Sequence, residues 1–497
     1  MKTKKVGFAS SIGFILAAAG SAIGLGNLWG FPYKTSQNGG AAFVLIYIAC
    51  VLLIGFVTML SEMHLGRRAH ANPITAYKSV NKNIGWFGLI AVAIPVFITC
   101  YYSVLGGWTV KFAMSSFSGN ADIISTFSVN TPEVIIYTAI FILISVIIIM
   151  FGVEKGIESV SKVLMPVLFI IVVGIAVYSL TLGEGVKEGL KFYLNPDFSS
   201  ITFKNVLIAM GQAFYSLSLG MGIMITYGSY TGGEISLSRS CVMICIFDTV
   251  IALIAGFAIF PAVAHFDPTL LDSSKGVALM YIILPKVFAS MGVVGKIVSF
   301  AFFIMVTIAA ITSVISLIEV ATQFVIQKFK ANRKIAALIV AVICFAVSIP
   351  IGISLGHVGI LEEETPALFG LDWLTFFDEV TNTVLMPICA LFACIAVGWI
   401  IKPQVAVEEM NQHGTHLPNW LKKVYGVMVK FITPALILIV GIGGIRDEIK
   451  NGNIAVIIFA YSIVILCIAI YFAFLRNGYT GTNKDEHLKE NDFIEAE

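Results

Sequence analysis

Four carboxylates stand where a carboxylate is costly: Glu62, Asp248, Glu319 and Asp378 all fall inside long apolar runs. An ionisable group at membrane depth persists when it is paired or faces a polar cavity, so each is a functional candidate by default. Glu62 lies one step from the basic pair Arg67 and Arg68, and an interfacial ion pair is expected of it rather than a transport role. Glu319 is open between a structural carboxylate of the bundle interior and a functional one. Asp248 sits deepest in its run and is the most informative. In the run that holds Glu319, spacings of three and four place Ala309, Thr312, Ser313 and Ser316 on one helix face. Hydroxyls on such a face either join helices or offer oxygens to a hard cation.

Two glycine-rich interruptions lie in comparable apolar surroundings. The first is Gly20-Ser21-Ala22-Ile23-Gly24-Leu25-Gly26-Asn27, within an apolar segment beginning near Ile12; the second is Tyr215-Ser216-Leu217-Ser218-Leu219-Gly220-Met221-Gly222. Each internal glycine lowers helix propensity by about 1 kcal/mol relative to alanine, so the backbone is expected to unwind there. Unwound backbone at membrane depth persists where it faces a polar cavity, an ion or a solute. Two interrupted helices in corresponding halves are the signature of a secondary transporter with its site between the halves; the alternative is a pair of glycine-packed helix contacts. A nucleotide loop at Gly24 and Gly26 lacks the preceding strand and the third glycine. No nucleophile–base pair or metal-ligand cluster is evident at depth, so enzyme chemistry is disfavoured. The eight cysteines all lie in apolar runs and are expected to be packing residues, with neither a disulfide framework nor a metal site.

The elements that must position these residues follow from composition. With 58% hydrophobic and 12% charged residues over 497 positions, the chain is a polytopic membrane protein. Twelve segments have spanning length: 12–33, 41–65, 86–115, 133–152, 162–182, 204–230, 239–265, 296–326, 335–355, 368–401, 424–445 and 454–475. The first is read as a retained helix, since no small-residue cleavage site follows it. An even number puts both termini on one side. The clusters Arg67/Arg68, Lys328/Lys330/Arg333/Lys334 and Lys422/Lys423 then share the side of Lys2, Lys4 and Lys5, which makes that side cytoplasmic and the location a multi-pass inner (plasma) membrane. A formal net charge of +2 points to neither nucleic acid nor an acidic partner. Between Asp267 and Lys296 an apolar stretch too short to span is expected to fold back as an external lid. The tail beyond Arg476 reads as solvated and disordered.

The Gly20–Asn27 run, the Gln212-Ala213-Phe214-Tyr215-Ser216-Leu217-Ser218-Leu219-Gly220 run, the Tyr101-Tyr102 pair and Ala309-Ala310-Ile311-Thr312-Ser313 together resemble the neurotransmitter:sodium symporter family, in its bacterial amino-acid transporter branch. The resemblance covers nearly the whole chain. It implies an all-α fold of twelve transmembrane helices in two five-helix inverted repeats, residues 1–182 and 183–401, whose first and sixth helices are discontinuous. The lid would be 267–296, helices eleven and twelve 402–476, and the cytoplasmic tail 477–497. It also implies two sodium ions and no organic cofactor. One sodium site would use the carbonyls of Gly20, Ile23 and Ala309 with the hydroxyls of Thr312 and Ser313. The other would use Ala22, Asn27, Ser216, Asp248 and the substrate carboxylate.

Substrate class follows from the same resemblance. Amine-transporting members carry an acidic residue where this chain has Gly24, so a complete L-amino acid is implied. Its carboxylate would meet the unwound backbone over Ser21, Ala22, Ile23, Gly24, Leu25 and Gly26, together with Tyr102. Its side chain would lie among Ile98, Tyr102, Tyr215, Met221, Ser316 and Leu317, with Ser216, Ser218 and Ser313 completing the site. That lining favours a large hydrophobic or aromatic side chain. Asp248 stands where chloride-dependent members have a neutral residue, near Tyr47, Gln212 and Ser216, and implies chloride independence. At the gates the chain departs from the family: Gly30 replaces the outer arginine, Lys34 one turn further out is either a substitute partner of Asp378 or an interfacial lysine, and Lys5 with Gln327 replace the inner pair. The implied activity is sodium-coupled symport by alternating access. The competing reading is a transporter-like sensor or channel that binds the same ligand without coupled flux. The oligomeric state, monomer or dimer, stays open.

Overall fold

The computed structural model describes residues 7–118, 122–271, 279–358, 368–411 and 419–477. In chain order its principal helices are α1 (Ser11–Ala22), α2 (Phe31–Gln37), α3 (Ala41–Ala69), α4 (Gly85–Ser118), α5 (Thr131–Met150), α6 (Val153–Ser179), α7 (Phe203–Ser216) and α8 (Ile223–Ser229). There follow α9 (Leu237–Phe266), α10 (Leu279–Ser290), α11 (Gly292–Phe329), α12 (Arg333–Leu355), α13 (Trp373–Ile401), α14 (Asn419–Lys450) and α15 (Ile454–Leu475). Ten of these are long and apolar enough to cross a membrane, and α1 with α2 makes a further crossing bent by 51°. The sixth expected segment is split into α7 and α8, which brings the crossings to the expected twelve. Among the described residues an isolated bridge between Leu368 and Leu371 is the extended pairing present. The expected disorder of the tail falls outside the described residues, apart from its first residue.

Both expected interruptions are present. α1 stops at Ala22, and Ile23 adopts extended backbone with φ −78° and ψ 94°. The chain re-enters through a π-turn at Gly26–Gly30 before α2 begins. In the second break three residues have left-handed backbone: Ser218 (φ 55°), Gly220 (φ 73°) and Gly222 (φ 71°). Glycine is required at the last two for a second reason. A Cβ at Gly220 would lie 2.4 Å from the Met386 carbonyl oxygen, and one at Gly222 would lie 2.7 Å from that of Ala91.

The long helices α4 and α11 cross beside the breaks and form the walls of the centre. α8 lies on α3 with backbones nearly touching, since a Cβ at Gly66 would fall 1.8 Å from the Ile225 carbonyl oxygen and one at Gly228 would fall 2.4 Å from that of Met63. The described part of the 267–296 loop carries α10. α10 turns inward and buries Tyr281, whose hydroxyl donates to the Leu105 carbonyl at 2.8 Å and whose ring packs edge-on against Trp108. All eight cysteines are buried free thiols.

Candidate functional site

The unwound segments of α1/α2 and α7/α8 face each other across a cavity. Eleven of the expected substrate residues line it: Ser21, Ala22, Gly24 and Gly26 from the first break, Ile98 and Tyr102 from α4, Tyr215, Ser218 and Met221 around the second, and Ser313 and Leu317 from α11. Ile23, Leu25, Ser216 and Ser316 do not line it. Ser316 lies behind the wall, where its hydroxyl donates to the Ser313 carbonyl at 2.6 Å and meets the Ser21 hydroxyl at 2.6 Å. Ser216 points the other way, toward Asp248. Ile223 lines the cavity and was missed. As the first residue of α8 its direction is set by the left-handed turn at Gly222, which residue types do not encode.

Polar groups of the cavity wall hold the breaks open. The Leu25 N–H donates to the Tyr102 hydroxyl at 2.9 Å, and the Gly24 N–H donates to Asn27 Oδ1 at 3.3 Å. The Ser21 carbonyl accepts from the hydroxyls of Ser218 and Ser313, each at 3.1 Å. Gly24 has no room for a side chain, because a Cβ would fall 2.5 Å from Ser313 Oγ and 2.6 Å from Tyr102 Oη.

Beside the cavity, Asp248 is completely buried among neutral donors. Asn27 Nδ2 donates to Asp248 Oδ1 at 2.8 Å, the Tyr47 hydroxyl donates to Oδ2 at 3.0 Å, and the Ser216 hydroxyl lies 2.9 and 2.8 Å from the two oxygens. Gln212 is close by and donates to the Gly26 carbonyl at 2.8 Å. Four chain segments thus converge on one carboxylate. On the opposite side, Gly20 packs against α11, where a Cβ would stand 3.3 Å from that of Thr312. The Thr312 hydroxyl turns back to the Ala309 carbonyl at 3.0 Å. The first grouping offers carboxylate, amide and hydroxyl oxygens and the second carbonyl and hydroxyl oxygens, the donor chemistry of a hard cation.

Outside the centre two expectations need correction. Glu62 makes no ion pair with Arg67 or Arg68: its Oε1 accepts from the Gly220 N–H at 2.8 Å, so it anchors the second break. Residues five and six apart lie on different faces of a helix, which separates Glu62 from both arginines. Arg67 instead donates to the Ile235 carbonyl at 2.9 Å, while Arg68 pairs with Glu409. The outer pair is also absent in the expected form. Asp378 accepts from the Tyr101 hydroxyl at 2.8 Å and from Asn382 Nδ2 at 2.6 Å, whereas Lys34 Nζ lies 5.9 Å from the centre of the Tyr215 ring. Glu319 resolves as a structural carboxylate, paired with Arg333 at 2.5 Å and accepting from the Tyr230 hydroxyl at 2.6 Å. Gln327 joins Asn72, accepting from its N–H at 2.9 Å and its Nδ2 at 2.6 Å. Lys5 lies outside the described residues.

A twelve-helix bundle with two mid-helix breaks closing on an oxygen-lined cavity defines a membrane transporter rather than an enzyme. The profile of the Sodium:neurotransmitter symporter family matches residues 5–138 and 124–474. The chain belongs to that family. It is 35% identical to the sodium-dependent transporter YhdH of Bacillus subtilis over 448 residues, 88% of this chain and 97% of that one. It is 32% identical to a sodium-dependent transporter of Haemophilus influenzae over 464 residues, 88% of this chain and 98% of that one. Among solved structures it is similar to MhsT in complex with L-phenylalanine, with a TM-score of 0.80 and 36% identity, covering 89% of this chain and all of that one. The protein is a sodium-dependent membrane transporter.

Proposed function

We propose that the protein imports a large hydrophobic or aromatic L-amino acid by alternating access, coupled to two sodium ions and independent of chloride. The observation that carries this reading is the cavity itself. Its lining is apolar at Ile98, Met221, Ile223 and Leu317, as the walls of ligand pockets predominantly are. Its other end presents the Tyr102 hydroxyl, which accepts from the Leu25 N–H just behind the lining. A substrate carboxylate arriving there is met by the Leu25 N–H and by the Tyr102 hydroxyl turned donor, at the start of a half-helix whose dipole favours an anion. The L-phenylalanine bound by the similar protein MhsT supports the same class.

In this reading Asp248, Asn27, Ser216 and the Ala22 carbonyl hold one sodium ion next to the substrate carboxylate. The carbonyls of Gly20, Ile23 and Ala309 and the hydroxyls of Thr312 and Ser313 hold the other. Residues 1–182 and 183–401 are the two repeats that move against each other, helices eleven and twelve lie outside them, and both termini face the cytoplasm. Tyr101, Asp378 and Asn382 close the outer side with Lys34 nearby, and Gln327 with Asn72 closes the inner side.

The test is a binding screen of the natural amino acids on purified protein with and without sodium, followed by uptake into proteoliposomes. Phenylalanine, tyrosine, tryptophan or leucine should bind only with sodium and accumulate down a sodium gradient. Tight sodium-dependent binding without accumulation would make the protein a sensor. Flux that never exceeds equilibration would make it a channel.

A further inference from the structure

A lysine lies in the apolar part of α14. Lys430 is the one charged residue between Lys423 and Arg446. Among the described residues it has no carboxylate partner, since the ion pairs there involve other groups. What surrounds it is aromatic. Its Nζ lies 4.9 Å from the centre of the Trp399 ring and 5.4 Å from that of Phe431, two rings that themselves meet edge to face at 5.6 Å.

The arrangement is held by backbone contacts. Trp399 Nε1 donates to the Lys430 carbonyl at 2.9 Å, and Gly398 allows α13 to lie directly on α14, where a Cβ would sit 2.8 Å from the Val429 carbonyl oxygen. The seam opens outward. Trp399 and Phe431 are each 53% exposed on the surface that faces lipid. Lys402 ends α13 at the same seam and Lys423 lies two helical turns before Lys430, both exposed. Glu409, on the helix that follows α13, is committed to Arg68 and His64.

An ammonium ion in a lipid-facing groove is stabilised by aromatic faces, yet they leave its charge uncompensated. The anion that a bilayer offers to such an ammonium group is a lipid phosphate. We propose that the seam between the inner ends of α13 and α14 is a binding site for one anionic phospholipid, with Lys430 as the phosphate contact, Trp399 and Phe431 flanking it, and Lys402 and Lys423 serving the headgroup. The site is remote from the substrate cavity and does not depend on the proposed choice of substrate.

The experiment is native mass spectrometry of the full chain released from nanodiscs of equimolar phosphatidylglycerol and phosphatidylcholine. One phosphatidylglycerol should be retained in preference to phosphatidylcholine. Lys430→Gln should reduce that preference about fivefold, the fold-change expected for one basic residue at a membrane surface, while Lys430→Arg keeps it. Lys334→Gln, a basic site outside the seam, should leave it unchanged. Inorganic phosphate should not displace the lipid, which separates a headgroup site from a free-anion site. Equal retention of the two lipids, or a preference untouched by Lys430→Gln in protein with unchanged thermal unfolding, overturns the assignment. Should Lys430→Gln unfold, loss of the preference in Trp399→Leu decides the matter, and its persistence there overturns it.

Discussion

Around Asp248 each contact described is a neutral donor, from Asn27, Ser216 or Tyr47. A carboxylate fixed there supplies the negative charge that balances a cation entering beside it. A second anion in the same place would be repelled by about 4 kcal/mol at 4 Å, even with an effective dielectric constant of 20. Replacing chloride by gluconate on both sides of the membrane should therefore leave uptake intact, and Asp248→Asn should either abolish uptake or make it chloride-dependent. Collapse of wild-type uptake without chloride would sink this assignment. Gly24 gives a second residue-scale prediction. A methyl group there would displace Tyr102 or Ser313, so Gly24→Ala should weaken substrate binding roughly tenfold, or by about 1.4 kcal/mol, with little change in thermal stability. Isothermal titration at saturating sodium checks it, and an unchanged affinity would remove Tyr102 from carboxylate recognition. At this scale the sequence showed which side chains are unusual for their surroundings. It did not show where Glu62 points, because proximity to two arginines along the chain says nothing about which helix face each occupies.

The elements depend on close backbone packing more than on side-chain chemistry. α3 and α8 can touch because Gly66 and Gly228 have no side chains, and the atoms they approach are backbone carbonyls that cannot turn aside. Gly66→Ala should therefore lower stability by about 1–3 kcal/mol, as overpacking does. Gly174→Ala is the control, since a Cβ there meets nothing within 4 Å and alanine favours the helix. Thermal unfolding in one detergent would compare the two, and equal midpoints would contradict the packing argument. The helix Pro403–Asn411 is fastened to α3 through Glu409, which lies 3.2 Å from His64 and also pairs with Arg68. The His64 ring at 3.2 Å first, and then Arg68, hold the Glu409 carboxyl below its ordinary value of 4.5 against the opposing effect of burial. A lowered carboxylate pKa gives stability that is present above the ordinary value and lost as pH falls through the lowered one. Hydrogen exchange of 403–411 should thus stay slow from neutral pH down to about 4.5, in the ordinary glutamate range, and speed up only below it. Glu409→Gln should be fast throughout, and identical profiles would detach Glu409 from the fastening. The two helix breaks were legible because glycine clusters interrupt apolar runs. The π-turns, such as Gly26–Gly30, which contains Asn27, were not, because an extra residue in a turn leaves the apolar pattern nearly unchanged.

For the whole molecule, the order of twelve apolar segments fixed the architecture, since spanning length is a property of composition. How the two ends close was less legible, because the gate positions depart from the family's charged pairs; Asp378 accepts from Tyr101 and Asn382, and Gln327 from Asn72. A zwitterion carries no net charge, so the ions alone determine the current. If the Asp248 and Thr312 groupings each take one sodium ion, two charges cross per amino acid. A potential of 100 mV then contributes about 4.6 kcal/mol, enough for accumulation on the order of a thousandfold at full coupling. With one sodium ion the voltage contributes half as much in energy, about 2.3 kcal/mol, and only the square root of that accumulation. Proton movement on Asp248 would change the count again, since a proton returning outward for each cycle cancels one charge. Reversal potentials in proteoliposomes distinguish these cases: the sodium gradient enters squared for two ions and to the first power for one, and a pH gradient shifts the reversal only if a proton is exchanged. Two ions without a proton should give a reversal that moves with sodium squared and ignores pH. Thr312→Val should lower sodium affinity while the protein stays folded. A reversal that follows sodium to the first power in the wild type would leave only one of the two oxygen groupings as a transport site.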